Sequence, residues 1–155
     1  MDRLEIKEIL AQAELFKGLE EGDIERLVDL CSEMSYTAGA YPFRQGDLGD
    51  NIYVIAEGQI CLERTRDLGE RSAKVVVASL GKGKVFGCWS TLLGEAHYLL
   101  CSALCSKATR ILVLNGADLR KEMLGNTKLG CRVLERLCFL LRERLHGVYG
   151  AMEKI

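Results

Sequence analysis

The spacing of apolar residues along the chain changes twice, and these changes divide it into three parts. Up to residue 32, apolar residues recur every three or four positions, as on one face of a helix. Gly18 separates the first stretch, residues 2–16, from a second in which Asp23 has the side-chain type expected of an N-cap. The pattern therefore predicts two N-terminal helices.

The middle part, residues 33–115, follows a shorter period. Apolar and polar residues alternate in brief runs, and turns containing glycine or aspartate separate these runs. Many short strands at intervals of roughly 8–12 residues are typical of an antiparallel sandwich or barrel. We therefore predict an antiparallel β-roll, or jelly roll, in this part. Its strands include residues 51–56, 59–64, 73–80 and 110–114.

The helical period returns after Asn115, which is predicted to cap a short helix over residues 117–124. A long helix is predicted over residues 129–149, with an apolar stripe at alternating steps of four and three residues, as in a coiled coil. The stripe consists of Leu134, Cys138, Leu141, Leu145 and Val148. The chain thus reads as one α+β, mainly β domain over residues 1–155, with N-terminal helices (1–32), a roll and C-terminal helices (116–155).

Composition excludes several classes of protein. The 155 residues are 48% apolar, which suits a domain large enough to bury its own core. The 21 Lys and Arg nearly balance the 22 Asp and Glu, so no overall field favours nucleic acid or an anionic membrane. No apolar run approaches the roughly 20 residues of a membrane span, and the first ten residues lack the apolar centre of a signal peptide. We expect a cytoplasmic protein without membrane association.

The seven cysteines do not form a recognisable framework. Their number is odd, and no two have the CxxC spacing that is common in redox and zinc motifs. We expect reduced thiols that serve mainly as small core hydrophobes, and no metal site. A redox or metal-binding role for some of them is the alternative.

Three short motifs are more specific than composition. They are LFKGL at residues 15–19, FRQGDLGDNIYVI at 43–55 and LGKGKVFG at 80–87. In this order and spacing they resemble the cyclic-nucleotide-binding domain family, the β-roll module of catabolite activator protein and of cyclic-nucleotide-dependent kinases. The resemblance runs from about residue 15 to residue 124. It implies a regulatory binding domain rather than an enzyme.

The resemblance also implies where a ligand binds. In the family, a Phe-Gly-Glu turn enters a short helix, and an Arg follows about nine residues after the Glu. Backbone N–H groups and this guanidinium hold the cyclic phosphate, and the Glu accepts a hydrogen bond from the ribose. Here Phe86 and Gly87 match, but Cys88 takes the Glu position and His97 the Arg position. Losing the guanidinium alone weakens phosphate binding about 10- to 150-fold, so weak cyclic nucleotide binding is predicted.

The candidate pocket consists of residues in and just after this cassette. They are Phe86, Gly87, Cys88, Trp89, Ser90, His97, Tyr98 and Leu99. The ordinary alternatives are a hydrogen-bonded strand or loop histidine at His97 and simple packing at Trp89. We expect no cofactor other than a small ligand of unknown identity. Catalysis is not expected, because His97 and His146 lie in different elements and no catalytic triad pattern is present.

Two functions follow from these features. The first is a ligand-sensing regulatory module whose pocket takes a molecule more apolar than cyclic AMP or cyclic GMP. The second is a ligand-free pseudo-sensor that serves as a dimerisation or docking scaffold. In the family the long C-terminal helix pairs with its copy, so we expect a homodimer through the stripe; packing of the stripe on the roll is the alternative.

Partners are expected to be proteins. A regulatory protein is the second expected partner, beside another copy of the chain. Relatives that regulate transcription carry a helix-turn-helix after the long helix, and the sequence after residue 149 is too short for one. No DNA binding by this chain is therefore expected.

Overall fold

The structure, a computed structural model, describes residues 1–154. Two helices precede the sheets, α1 (Arg3–Gln12) and α2 (Glu21–Leu30). The Asp2 side chain caps α1 by accepting a hydrogen bond from the Glu5 N–H at 2.8 Å. The helix α1 ends four residues before the predicted end at residue 16, because Ala13 adopts an extended conformation. The turn that follows buries Leu15 and Phe16 completely.

The prediction that Asp23 is the N-cap of α2 is wrong. The cap position is Glu20, and Asp23 lies in the first turn, where a carboxylate complements the helix dipole. Asp23 is nearly buried, and its Oδ1 accepts a hydrogen bond from Asn126 Nδ2 at 3.1 Å. Its partner lies 103 residues away. Local sequence therefore gave no signal for this role.

Nine strands form the middle of the chain, and the pairings between them are antiparallel. This confirms the predicted β-roll. The first strand begins before the predicted boundary at residue 33. The strands are β1 (Cys31–Tyr36), β2 (Leu48–Gly49), β3 (Asn51–Glu57), β4 (Ile60–Asp67), β5 (Ser72–Leu80), β6 (Val85–Gly87), β7 (His97–Tyr98), β8 (Ser102–Cys105) and β9 (Thr109–Asn115).

The strands form three antiparallel sheets. One has the order β1-β9-β3-β6, the second the order β5-β4-β8, and β2 pairs with β7. Successive side chains of a strand point to opposite sides, and strand β3 is buried on both of its faces. Ile52 and Val54 join a core with the helices, and Ile55 joins a core inside the roll with Phe43 and Ile60. The helical layer and the roll therefore share this strand.

Two helices follow the roll, α3 (Gly116–Gly125) and α4 (Thr127–Met152). The predicted cap at Asn115 is confirmed, since its side chain accepts hydrogen bonds from the first backbone N–H groups of α3. The long helix is confirmed as well, and Asn126 caps it. None of the helices within residues 1–154 is long and apolar enough to cross a membrane.

Helix α4 has two apolar stripes. One is buried against the helical layer and consists of Leu129, Val133, Leu137 and Leu140. The other is the predicted stripe, whose residues Leu134, Leu141, Leu145 and Val148 are 38–52% exposed, with Cys138 exposed as well. An exposed stripe is available to a partner helix, and the dimer seam remains a prediction.

Candidate ligand-binding site

A cavity of about 310 Å³ lies between the roll and the last turns of α4. This volume is at the lower end for small-molecule sites. The structure brings all eight candidate pocket residues to its lining, namely Phe86, Gly87, Cys88, Trp89, Ser90, His97, Tyr98 and Leu99. Their role in binding a ligand remains a prediction.

An aromatic cluster forms the floor of the cavity. The ring centroids of Phe43 and Tyr53 lie 5.6 Å apart, and those of Tyr53 and Phe86 lie 5.1 Å apart in a stacked arrangement. Phe43 and Phe86 are buried, and both line the cavity. Paired aromatic rings add packing energy beyond the area they bury. The floor is therefore apolar and firmly packed.

Strand β6 ends at Gly87, whose φ of +127° is rarely adopted by residues that have a side chain. A side chain there would overlap the Asn51 carbonyl oxygen, which already accepts the Cys88 N–H at 3.0 Å. Cys88 is buried beside Gly49, where an added Cβ would come within 2.8 Å of the Cys88 Cβ. The Cys88 thiol donates to the His97 carbonyl oxygen at 3.7 Å. Residue 88 thus points into a closed, apolar corner.

Replacement of Gly87 by alanine is expected to destabilise the domain by about 3 kcal/mol or more, because the new Cβ combines backbone strain with overlap of Asn51. Gly125→Ala is the matched control, since nothing lies within 4 Å of an added Cβ at the end of α3. Urea denaturation followed by circular dichroism measures both. Equal stability of the two variants would contradict this account of the turn.

The residues after the turn face the cavity in different ways. Trp89 and Ser90 lie in a 3₁₀ helix, Trp89–Leu93, and the half-buried Trp89 also packs against the helical core. His97 and Tyr98 form β7 and expose their side chains, and Leu99 is buried. The His97 Nδ1 lies 2.9 Å from the Tyr98 carbonyl oxygen. This is the ordinary environment of a hydrogen-bonded surface histidine.

The roof of the cavity comes from α4, which sequence analysis did not include in the site. Leu141, Leu145 and Val148 of the exposed stripe line it, together with Arg144. The helix can lie close to β5 because Gly147 has no side chain, and an added Cβ would come within 3.0 Å of the Val77 carbonyl oxygen. The regular spacing of the stripe was the signal, but it was assigned first to a dimer seam, with packing on the roll as the alternative.

Arg144 is held at the edge of the cavity by Glu14. The Arg144 Nη2 donates to Glu14 Oε1 at 2.8 Å and to the Val85 carbonyl oxygen at 2.9 Å. Glu14 also accepts the Val85 N–H at 2.8 Å and the Lys84 ammonium at 3.2 Å. The Arg144 Nε is buried and has no hydrogen-bond partner among the described residues.

The cysteines follow the predicted core role only in part. Cys88 and Cys105 are buried, and burial raises the pKa of the Cys31 thiol to about 12 and raises the pKa of Cys101. The two cysteines of α4, Cys131 and Cys138, are exposed. Within residues 1–154, no three His, Cys, Asp or Glu side chains are grouped as a metal ion would require.

The fold and this cavity match a known family. The sequence profile described as cyclic nucleotide-binding domain matches residues 33–126, which is more than half of the chain. The chain belongs to this family. The match covers all of the roll except the first two residues of β1, together with the 3₁₀ helix and α3, so the domain's cavity lies largely within the matched region.

Individual relatives agree with the family match. The domain is 32% identical over 131 residues to the cyclic AMP receptor protein of Thermus thermophilus, covering 84% of this chain and 56% of that protein. It is 32% identical over 81 residues to the cAMP-dependent protein kinase type II regulatory subunit of Drosophila melanogaster, covering 52% of this chain and 20% of that one. The domain therefore spans about half of the first relative and a fifth of the second.

A solved structure supports the same architecture. The crystal structure of a cyclic nucleotide-binding domain from Methylobacillus flagellatus superposes on this chain with a TM-score of 0.79 and 23% sequence identity. The superposition covers 99% of this chain and 84% of that one. At this identity the likeness shows the fold, including the β-roll and flanking helices, rather than the ligand.

Proposed function

We propose that this domain senses a small, largely apolar ligand and binds cyclic AMP and cyclic GMP only weakly. It is a regulatory binding module rather than an enzyme, in accord with the binding domain that its family describes. The observation that carries the proposal is the cavity beneath α4, whose floor, walls and roof are mostly apolar side chains. Such cavities are the usual form of a small-molecule site.

The residues at the cassette positions support weak binding of a cyclic phosphate. Cys88 offers a thiol in a closed corner, where a ribose hydroxyl needs a strong acceptor. His97 offers an imidazole, which lacks the two-pronged donor geometry of a guanidinium. Both interactions that are strongest for a cyclic nucleotide are therefore reduced.

The position of α4 gives the domain a means of signalling. Three residues of its exposed stripe form the roof, so a ligand in the cavity contacts the helix directly. The helix approaches β5 closely at Gly147, where an added Cβ would come within 3.0 Å of the Val77 carbonyl oxygen. If a ligand binds more tightly when α4 is in one position than in another, it shifts the equilibrium toward that position, and the size of the shift is set by the difference in affinity.

Leu145→Glu tests the proposed site. A charged side chain in the apolar roof is expected to weaken the binding of N-phenylnaphthylamine, a neutral apolar dye, by about tenfold or more. The matched control is Leu134→Glu, which lies on the same exposed stripe but does not line the cavity. Dye fluorescence measures both. Equal weakening by both variants, or none by Leu145→Glu, would contradict binding beneath α4.

The second candidate function is a ligand-free scaffold that dimerises through α4 and presents the roll to a regulatory protein. The exposed stripe favours it, because five apolar positions along one helix are left without an intramolecular partner over much of their surface. Exposed apolar patches of this kind mark interaction sites. The same variants separate the two functions, since a scaffold loses self-association with Leu134→Glu and binds no dye.

A further inference from the structure

As an extension of the proposed function, we propose that the ligand is an amphipathic organic acid whose anionic group is bound by Arg144 instead of by the cassette. Its apolar or aromatic body fills the cavity, and its acidic group reaches the edge where α4 meets Glu14. This assigns the charged part of recognition to the C-terminal helix.

Arg144 is the cation best placed to do this. Of the described residues that line the cavity, it is the only one with a guanidinium or ammonium group. It lies one turn after Leu141 and beside Leu145, both of which form the roof. Its side chain is 18% exposed, and a partly desolvated charge attracts an anion more strongly than one in water.

The guanidinium has unused capacity for hydrogen bonding. Its Nη2 is occupied by Glu14 and by the Val85 carbonyl oxygen, whereas its buried Nε has no partner among the described residues. Buried donors are nearly always paired, and an unpaired one calls for an explanation. Because the Nε is shielded from solvent, water does not serve as its acceptor. A carboxylate or sulfonate oxygen in the cavity provides the missing acceptor after a small movement of the guanidinium.

The charges around Arg144 also favour an anion. Within residues 1–154, Glu14 carries the one carboxylate in contact with Arg144, and it is shared with the Lys84 ammonium and the Val85 N–H. Arg136 of α4 adds a further positive charge nearby by donating to the Glu14 carbonyl oxygen at 2.8 Å. Two cations, Lys84 and Arg144, therefore share the Glu14 carboxylate, and a third, Arg136, contacts the backbone of the same residue. A ligand with a single negative charge reduces this imbalance.

Two related dyes test the assignment. Anilinonaphthalenesulfonate differs from N-phenylnaphthylamine by one sulfonate group, so the ratio of their affinities isolates the anionic contact. The wild-type protein is expected to bind the sulfonate about tenfold more tightly than the neutral dye. Arg144→Gln should remove this preference, so that the ratio of the two affinities falls to about one. Arg142→Gln, an exposed cation on the same helix, is the matched control.

A second variant keeps the test valid if Arg144→Gln is unstable. Glu14→Gln removes the competing carboxylate and is expected to increase the preference for the sulfonate, whereas a purely structural ion pair predicts no such gain. Equal affinities for the two dyes in the wild-type protein, or an equal loss of both with Arg144→Gln, would overturn the inference and leave the proposed function standing. Failure of both dyes to bind would overturn both.

Discussion

Titration calorimetry with cyclic AMP or cyclic GMP is expected to give a dissociation constant above about 100 µM. The physical reason is the loss of two directed interactions, one at Cys88 and one at His97. A charge-assisted hydrogen bond contributes about 1.5–3 kcal/mol, so the missing guanidinium alone accounts for a loss of one to two orders of magnitude. Low-micromolar affinity would show that the cassette recognises cyclic nucleotides without these side chains.

The converse change is expected to strengthen binding. Cys88→Glu combined with His97→Arg should tighten cyclic nucleotide binding by about tenfold or more, because it restores the acceptor and the guanidinium together. His97 is exposed and tolerates an arginine, whereas Cys88 packs against Gly49 and a glutamate must turn toward the cavity. Thr37→Arg, at an exposed position just after the first strand, controls for an arginine placed outside the site. No gain would mean that the cavity shape itself excludes the nucleotide.

The protein is expected to be a homodimer at about 100 µM. This corresponds to a free energy of association stronger than roughly 5 kcal/mol. The exposed stripe of α4 repeats at alternating steps of four and three residues, the spacing with which two helices pack side by side. Charged residues such as Arg142 and Glu143 flank it and remain in water. A monomer by light scattering would restrict the stripe to the roof of the cavity.

Cys138 reports on the arrangement of that dimer. If the two helices are parallel and in register, the two-fold axis brings the Cys138 thiols together. Mild oxidation is then expected to trap a disulfide-linked dimer, and Cys138→Ser should abolish this link without dissociating the dimer. Cys131 lies one heptad earlier and is exposed as well, so peptide mapping must locate the bond. A cross-link absent from Cys138 would exclude this register.

The sequence revealed the elements that depend on local pattern. Alternation and glycine turns predicted the roll, and the apolar period predicted α3 and α4 with a cap at Asn115. The cap at Asp23 was wrong because the hydrogen bond from Asn126 spans 103 residues, which no local rule includes. The end of α1 was misplaced for a related reason. Leu15 and Phe16 continue an apolar period but are buried by a turn instead of a helix.

The candidate site divides in the same way. Residues from Phe86 to Leu99 were found because they are contiguous with a motif. Arg144 was missed because its partners, Glu14 and Val85, are far away in sequence. Periodicity shows which residues share a face of a helix, but it does not show what lies against that face. The stripe could therefore be assigned to a dimer, or to packing on the roll, but not to the roof of a particular cavity.

Fluorescence of Trp89 tests the central claim most directly, because it is the only tryptophan and it lines the cavity. Titration with N-phenylnaphthylamine is expected to quench Trp89 emission saturably by energy transfer to the bound dye, and cyclic AMP at micromolar concentration should not reverse it. If micromolar cyclic AMP changed Trp89 emission saturably and displaced the dye, or if the dye left Trp89 unaffected, a sensor for apolar ligands would be contradicted.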